Sequence, residues 1–101
     1  MATLCLLNED GATAERWELG DEPLAIGRGA AADVVIDDAA LSRRHFVIVR
    51  EAGGYLLKDL GSQNGTWVDG QPAKTTRLQH HTCILAGRTL FMFSDSALAA
   101  A

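Results

Sequence analysis

The stretch HFVIVREAGGYLLKDL, residues 45–60, decides the fold class. In its first half, residues 45–50, His45 is followed by four apolar residues that point to both faces of the predicted strand. This pattern is typical of a central strand buried on both sides. In the second half, residues 54–60, one face carries Leu56, Lys58 and Leu60 and the other carries Tyr55, Leu57 and Asp59, which suggests a half-exposed strand. Gly53 and Gly54 separate the halves and supply turn chemistry, so the stretch predicts a β-hairpin.

Short segments of the same kind cover the rest of the chain. Turn dipeptides such as Asp10-Gly11, Asn64-Gly65 and Asp69-Gly70 separate them, and ten glycines in 101 residues fit this many reversals. Helical periodicity never persists for three turns. The sequence therefore predicts an all-β fold, a two-sheet antiparallel sandwich. The predicted strands are residues 3–7, 15–19, 23–27, 33–36, 45–50, 54–59, 66–68, 76–78, 82–86 and 89–94.

Length and charge restrict the function. A chain of 101 residues that is 48% hydrophobic fits one domain with one core. A net charge of -4 argues against a surface built to bind nucleic acid or anionic lipid, so any anion site must be local. No apolar run approaches the roughly 20 residues that cross a bilayer, and the N-terminus lacks a signal-peptide pattern. We expect a cytoplasmic protein without nucleic-acid or membrane partners.

The cysteines and the paired histidines give no metal signature. Cys5 and Cys83 lie in strand-like runs and are predicted to be reduced structural thiols; a disulfide would require neighbouring strands. His80 and His81 are adjacent, and adjacent residues of a strand point to opposite faces, so a polar turn is favoured over a metal site. We expect no metal ion and no cofactor.

Side chains that could bind a ligand or take part in catalysis occur in three predicted loops. In a sandwich, such loops can converge at one end. Arg28 lies between two glycines after a strand, SRRH at residues 42–45 precedes the central strand, and GSQNGT covers residues 61–66. Arg28 could present a fork of donors to a phosphate, Ser42 a hydroxyl and a backbone N–H, and Arg43 a second cation. These residues predict a shallow anion pocket.

The same residues resemble a known family. IGRGAAADVVIDDAALSRRHFVIV at residues 26–49, followed by LKDLGSQNGTWVDGQ at residues 57–71, is similar to the forkhead-associated (FHA) domain. The ordered motifs are a Gly-Arg pair, Ser-x-x-His, Asn-Gly-Thr and a short Asp-Gly turn. The resemblance implies an eleven-strand sandwich that binds phosphothreonine peptides, without enzymatic activity, in signalling. It implies as partner a phosphothreonine-containing protein, the substrate of a Ser/Thr kinase.

The resemblance also implies a role for each matching residue. The residues expected to bind the phosphopeptide are Arg28 and Ser42 at the phosphate, Arg43 beside them, Asn64 at the peptide main chain and Gln63 lining the pocket. The residues expected to hold the loops in place are Gly27, His45, Gly65 and Thr66. The FHA domain is predicted to cover residues 1–95, with residues 96–101 forming a disordered tail or the start of a linker.

Alternatives stay open from the sequence. Arg28 taken alone is more simply a turn arginine paired with Asp33 or Asp37. His45 near Ser42 could suggest nucleophilic catalysis, but no carboxylate in the motif orients it and Ser42 has no nucleophile-elbow sequence, so a non-enzyme is predicted. The other candidate function is phospho-independent interaction or oligomerisation through a sheet face.

Two neighbours of the motif are expected to stay outside the phosphate contacts. Arg44 is predicted to face solvent. In some family members, the residue at the position of Ala40 helps to select the third ligand residue after the phosphothreonine. Because Ala40 carries no charge, we expect no preference for an acidic residue at that ligand position.

Overall fold

Eleven strands and one helical turn make up residues 1–99, the part of the chain that the computed structural model describes. The elements are β1 (Ala2–Leu7), β2 (Thr13–Leu19), β3 (Leu24–Gly27), β4 (Val34–Val35), β5 (Phe46–Glu51), β6 (Gly54–Asp59), β7 (Thr66–Val68), β8 (Gln71–Pro72), β9 (Thr75–Arg77), β10 (Thr82–Ala86), β11 (Thr89–Asp95) and α1 (Ser96–Ala99). The predicted all-β fold is confirmed. The exposed two-residue strand β8 was not predicted, because it has no apolar alternation to signal it.

The strands form two sheets. One has six strands in the order β2-β1-β11-β10-β7-β8, and the other has five in the order β4-β3-β5-β6-β9. All pairs are antiparallel except β3 and β4, where Ile26 pairs with Val34 in parallel, so the antiparallel prediction fails at this pair. The chain loops back beside β3 after residue 28: Asp33 donates its N–H to the Ala25 carbonyl at 2.9 Å, and Ile36 donates to Gly27 at 2.9 Å.

The core lies between the sheets. Phe46 and Ile48 of β5 are fully buried, as are Phe91 and Phe93 of β11 in the other sheet. The rings of Phe46 and Phe91 meet edge to face with centroids 5.6 Å apart, and burial of each such side chain contributes about 1.5–3 kcal/mol. Val47, on the opposite face of β5, is also buried. The prediction that this strand is buried on both faces is confirmed.

The β5–β6 hairpin turns one residue earlier than predicted. Glu51 pairs with Gly54, so the two turn residues are Ala52 and Gly53 rather than the glycine pair. Both have positive φ, 55° and 79°, as a type I′ turn requires. The pairing register therefore places Ala52 in a left-handed conformation that the adjacent Gly-Gly sequence did not suggest.

The two cysteines are free thiols, and their strands are not neighbours. Strand β11 lies between them, and Cys5 and Cys83 both pair with Met92. A disulfide between them is incompatible with this sheet order, because two strand spacings of about 4.8 Å exceed the Cα separation that a disulfide spans.

The predicted tail begins as the helical turn α1, where Ser96 donates its N–H to the Met1 carbonyl at 3.2 Å. Residues 100 and 101 lie outside the described residues, and the domain boundary at residue 95 stays a prediction. Within residues 1–99, none of the helical structure is long and apolar enough to cross a membrane.

Candidate functional site

Three segments meet at one end of the sandwich: the end of β3, residues 36–45 before β5, and residues 60–65 between β6 and β7. The backbone N–H of Arg28 donates to the Ser42 carbonyl at 3.1 Å, and that of Gly29 donates to Arg43 at 3.1 Å. A β-carbon on Gly27 would overlap the carbonyl group of Arg43. The close approach of the first two segments therefore requires glycine at position 27.

The side chain of Arg28 is held at one nitrogen and open at the others. Its Nε donates to the Leu41 carbonyl at 2.7 Å, while the residue as a whole is exposed. Among residues 1–99, the ion pairs are Arg50 with Asp21 and the N-terminal amine with Asp95, so the alternative pairing of Arg28 with Asp33 or Asp37 is not seen. The terminal guanidinium nitrogens can thus meet a ligand.

Ser42 links the second segment to the third. Its Oγ accepts a hydrogen bond from the Gln63 backbone N–H at 3.0 Å, which leaves the hydroxyl hydrogen to be donated elsewhere. Its own backbone N–H donates to His45 Nδ1 at 3.0 Å. The expectation that Ser42 offers both its hydroxyl and its N–H to an anion is therefore wrong for the N–H, which is used within the protein.

His45 is fully buried and joins all three segments. Its Nδ1 accepts from Ser42, and its Nε2 lies 2.7 Å from the Gly65 carbonyl, so the two contacts fit a neutral ring with the proton on Nε2. Its backbone N–H donates to Ile26 at 2.8 Å, and its carbonyl accepts from Leu60 at 2.9 Å. Because His45 bonds the backbone of Ser42 and not the hydroxyl, the pair lacks the nucleophile–base arrangement.

Asn64 and Gln63 lie exposed at the tip of the β6–β7 loop. The amide nitrogen of Asn64 donates to the Ala40 carbonyl at 2.8 Å, so the loop tip is tied to the segment before β5. No donor within the described part of the chain bonds the Asn64 side-chain oxygen, which is thus able to accept a hydrogen bond from a ligand. Gly65 follows with φ of 82°, a conformation that favours glycine.

The carboxylate of Asp59, which was not among the predicted site residues, organises this loop. It accepts hydrogen bonds from the backbone N–H groups of Gly61 and Ser62, from the Ser62 hydroxyl and from buried Thr66, whose Oγ1 lies 2.7 Å away. Burial alone would raise the pKa of Asp59, but the hydrogen bonds from Ser62 and Thr66 hold it below its ordinary value. The sequence Asp-Leu-Gly-Ser, with an aspartate able to cap its own turn, was the available signal.

Asp38 is a second missed carboxylate. It accepts from the Ala40 N–H at 2.9 Å, and across the sandwich from the Arg88 N–H and the Thr89 hydroxyl, both at 2.7 Å. Burial would raise the pKa of Asp38, but the hydrogen bond from Thr89, those from the two backbone groups and the charge of Arg88 lower it. Asp38 thereby ties the segment before β5 to the β10–β11 hairpin.

The candidate site is an open surface and not a deep cavity. A concavity of about 600 Å³ lies away from these loops, between the β5–β6 turn and Leu98. Beside Arg28 is a groove of about 450 Å³ that Asp37 and Asp38 also line. Ser42 and Arg43 do not line this groove, and its acidic residues disfavour an anion there.

His80 and His81 form a turn, as predicted, but the reason given for it was wrong. They are not strand residues with opposed side chains, since His81 has φ of 62° and the two rings stack with centroids 3.7 Å apart. His80 Nδ1 accepts the Asp95 N–H at 3.0 Å. Within residues 1–99, no three His, Cys, Asp or Glu side chains lie together where they could hold a metal ion.

Comparison with known proteins identifies the family. The model of the FHA domain matches residues 24–87. The oxoglutarate dehydrogenase inhibitor of Corynebacterium jeikeium is 33% identical over 82 residues, which are 81% of this chain and 57% of the inhibitor. The chain spans about half the length of the curated relatives it matches.

Solved structures share the architecture. An FHA domain studied for phosphothreonine-dependent interactions is 31% identical with a TM-score of 0.83, and the match covers 93% of this chain and 95% of that one. The FhaA FHA domain complexed with the intracellular domain of Rv3910 is 32% identical with a TM-score of 0.82, covering 92% and 99%. Given this match and the three converging segments, the chain belongs to the FHA domain family.

Proposed function

We propose that this domain binds phosphothreonine-containing protein segments and so mediates phosphorylation-dependent protein–protein interaction in signalling. Family membership supports the proposal, as do the phosphothreonine-dependent interactions of the structural neighbour. The observation that carries it is local. Arg28 is fixed by its Nε against the loop that presents Ser42, and its remaining guanidinium nitrogens meet no carboxylate within residues 1–99.

In this proposal Arg28, Ser42 and Arg43 hold the phosphate. Arg28 donates from its terminal nitrogens, Ser42 donates the hydroxyl hydrogen that the protein leaves unused, and exposed Arg43 adds a second positive charge. A phosphate monoester carries about -1.5 to -2 charges at pH 7, and each charge-assisted hydrogen bond contributes about 1.5–3 kcal/mol. The positive charge of these two arginines attracts the phosphate locally, although the net charge of the chain is -4.

The β6–β7 loop supplies the contacts beyond the phosphate. Asn64 accepts a main-chain N–H of the ligand through its free oxygen, and Gln63 lies beside it. The residues that hold this arrangement are proposed to be Gly27, His45, Gly65 and Thr66, through the close approach at Gly27 and the hydrogen bonds of the other three. They would affect binding through loop geometry and not through contact with the ligand.

The proposed partner is a protein phosphorylated on threonine by a Ser/Thr kinase. The domain is proposed to bind and not to catalyse, which fits relatives named as an inhibitor and a regulator. The engagement of both His45 ring nitrogens by backbone groups supports the same view. The cytoplasmic location stays a prediction.

A binding measurement with matched peptide pools tests the proposal. Pools carrying phosphothreonine, phosphoserine or unmodified threonine are titrated against the wild type, Arg28→Ala and Arg16→Ala, where Arg16 is an exposed arginine on β2. We expect the phosphothreonine pool to bind best, and Arg28→Ala to weaken it about 100-fold or more because two charge-assisted bonds are lost. Arg16→Ala keeps the net charge of Arg28→Ala and should leave binding within about twofold, since exposed charges are screened by salt.

Two results would contradict the proposal. Equal binding of the phosphorylated and unmodified pools would favour the alternative, phospho-independent interaction through a sheet face. An equal loss in Arg28→Ala and Arg16→Ala would mean that only the overall charge matters and that the converging loops form no site.

A further inference from the structure

The concavity of about 600 Å³ near α1 contains none of the residues proposed to bind the phosphopeptide. It is lined by residues 52–54 of the β5–β6 turn, by residues 77–80 between β9 and β10, and by Leu98 of α1. We call it the Arg77 pocket. Its volume lies in the range of about 300–1,000 Å³ that is usual for sites that bind small molecules. None of the lining residues is acidic, so the pocket is open to a negatively charged ligand.

The guanidinium group of Arg77 is held at one nitrogen and open at the others, as that of Arg28 is. Its Nη1 donates to the Glu51 carbonyl at 3.2 Å. The same nitrogen lies against Gly54, where an added β-carbon would come within 2.8 Å of it. Neither of the two ion pairs found among residues 1–99 involves Arg77. The pocket therefore contains a positioned positive charge whose remaining donors can meet an anion.

His80 adds a neutral donor to the same pocket. Its Nδ1 accepts the Asp95 N–H at 3.0 Å, so the neutral ring carries its proton on Nε2. In the part of the chain that the structure describes, no acceptor bonds this Nε2. The ring is also stacked on that of His81, which restricts its rotation. The Asp95 carboxylate does not line the pocket, and it accepts the Ala97 N–H at 3.0 Å.

The rest of the lining is apolar or has no side chain. Leu98 is 39% exposed and forms one wall, while a β-carbon on Gly53 would meet nothing within 4 Å, so the rim on that side is open. Arg77 is the only residue with a permanent positive charge in the lining. One cation and one neutral donor suit a ligand with a single negative charge better than a phosphate monoester, which carries almost two.

We propose that the Arg77 pocket binds a small organic acid with one carboxylate and an apolar chain of about five to eight carbons, a size that such a volume accommodates. Arg77 and the Nε2–H of His80 donate to the carboxylate, and the chain packs against Leu98. The inference goes beyond the proposed function and does not depend on it, because the two sites share no residue.

Titration with sodium octanoate, followed by the amide chemical shifts of the protein in NMR spectra, tests the proposal. The shifts should move at residues 52–54 and 77–80 and stay in place at Ser42 and Asn64. Octanamide has the same length without the charge and should bind about tenfold more weakly, because charge-assisted hydrogen bonds are lost. Acetate has the charge without the chain and should also bind at least about tenfold more weakly, because it buries little apolar surface.

Substitution of the two donors should weaken the binding of octanoate. Arg77→Gln should weaken it about tenfold, whereas Arg16→Gln, the same change of charge at an exposed position on β2, should leave it within about twofold. His80→Asn should weaken it about threefold, since the asparagine oxygen can take the place of Nδ1 while no donor remains at the position of Nε2. Urea unfolding shows whether each variant is folded.

Substitution of the apolar wall should act on the chain of the ligand alone. Leu98→Thr should weaken octanoate about threefold and leave acetate unchanged, because it removes apolar surface and no charge. Leu85→Thr is the matched control, since Leu85 is exposed to a similar extent, 41%, but lies on β10 and does not line the pocket. This pair decides the question if Arg77→Gln proves to be unfolded.

Four results would overturn the proposal. They are the absence of shift changes up to about 10 mM octanoate, equal binding of octanoate and octanamide, an equal loss in Arg77→Gln and Arg16→Gln, and an equal loss in Leu98→Thr and Leu85→Thr. The source of the carboxylate is tested with a peptide that ends in leucine. If that peptide binds about tenfold more tightly than octanoate and its C-terminal amide does not bind, the ligand is the C-terminus of a protein and the assignment to a small acid is wrong.

Discussion

The two connections at the ends of β6, the β5–β6 turn at residues 52–53 and the β6–β7 loop at residues 60–65, differ in what holds them. The turn is set by two positive φ angles and by the register between Glu51 and Gly54. The loop is held by the Asp59 carboxylate, by buried His45, and by hydrogen bonds from Gln63 to Ser42 and from Asn64 to Ala40. The first connection reverses the direction of the chain, whereas the second holds the exposed side chains of Gln63 and Asn64 in position.

The difference shows how a sandwich builds a binding surface. The bonds that fix the β6–β7 loop to the segment before β5 join residues 21 and 24 positions apart. A change in one segment must therefore disturb the other, while a change in the turn stays local. Substitutions at the loop end should alter stability and ligand binding together, and substitutions in the turn should alter stability alone.

The largest effect is expected at His45. His45→Ala should lower the free energy of unfolding by about 3 kcal/mol, because the Ser42 N–H and the Gly65 carbonyl lose a buried partner and a cavity is left. Phosphopeptide affinity should also fall. Urea unfolding and peptide titration measure the two effects. The control is Glu22→Ala, a change of an exposed residue between β2 and β3, which should change neither by much. Unchanged affinity in folded His45→Ala would break the comparison.

A smaller effect is expected at Asp59. Asp59→Asn should lower the free energy of unfolding by about 1.5 kcal/mol at pH 7, since charge-assisted hydrogen bonds to the loop are lost. Asp21→Asn, which removes an exposed carboxylate paired with Arg50, should cost less than about 1 kcal/mol. An equal cost for both would mean that the loop does not depend on Asp59.

The effect of Asp59 should depend on pH. Its folded pKa lies below the ordinary value of 3.8, so as pH falls the unfolded chain binds the proton first. The stabilisation is therefore complete above that ordinary value and is lost as pH falls through the lower folded pKa. The difference between wild type and Asp59→Asn should shrink in urea unfolding below about pH 4. A constant difference down to pH 3 would assign the effect to packing.

The smallest effect is expected in the turn. Ala52→Asn creates an Asn-Gly pair, which suits the type I′ turn better than alanine does, and should raise the free energy of unfolding by about 0.5 kcal/mol. The melting temperature should rise by about 2–4 °C, with peptide affinity unchanged. Ala31→Asn, an exposed loop substitution without a positive φ, should give no gain. A change of affinity in Ala52→Asn would show that the turn and the site are coupled.

Alternation and turn chemistry predicted most of the fold. The two-sided burial of β5 and the half-exposed β6 followed from the order of apolar residues. The parallel pairing of β4 with β3 could not be predicted, because it depends on how residues 28–33 loop back in space. The turn at residues 52–53 was misplaced because two adjacent glycines fit a turn equally well, and only the pairing of Glu51 with Gly54 decides between them.

The candidate site was predicted from motifs together with part of its support, namely Gly27, His45, Gly65 and Thr66, but the two carboxylates that tie its loops were not predicted. Arg28, Ser42 and Asn64 stand out because their spacing is that of a family.

Asp59 was overlooked although its turn sequence Asp-Leu-Gly-Ser can signal such a cap. Asp38 did not stand out, because two of its three partners are backbone N–H groups in loops, which no residue type marks. The hydrogen bond from the Ser42 N–H to His45 was missed as well. A sequence shows which groups can donate a hydrogen bond, but it does not show which of them already donate one within the protein.

The hydrogen bonds from Arg88 and Thr89 to Asp38 join positions 50 and 51 residues apart. The residues proposed to bind the phosphate and the ligand main chain lie between positions 28 and 64, yet the loop before β5 reaches its final conformation only after the last hairpin has paired. Such long-range contacts form late in folding, because a long loop of chain must close first. Residues 24–71 alone, although they contain every motif, should therefore not fold into a binding unit.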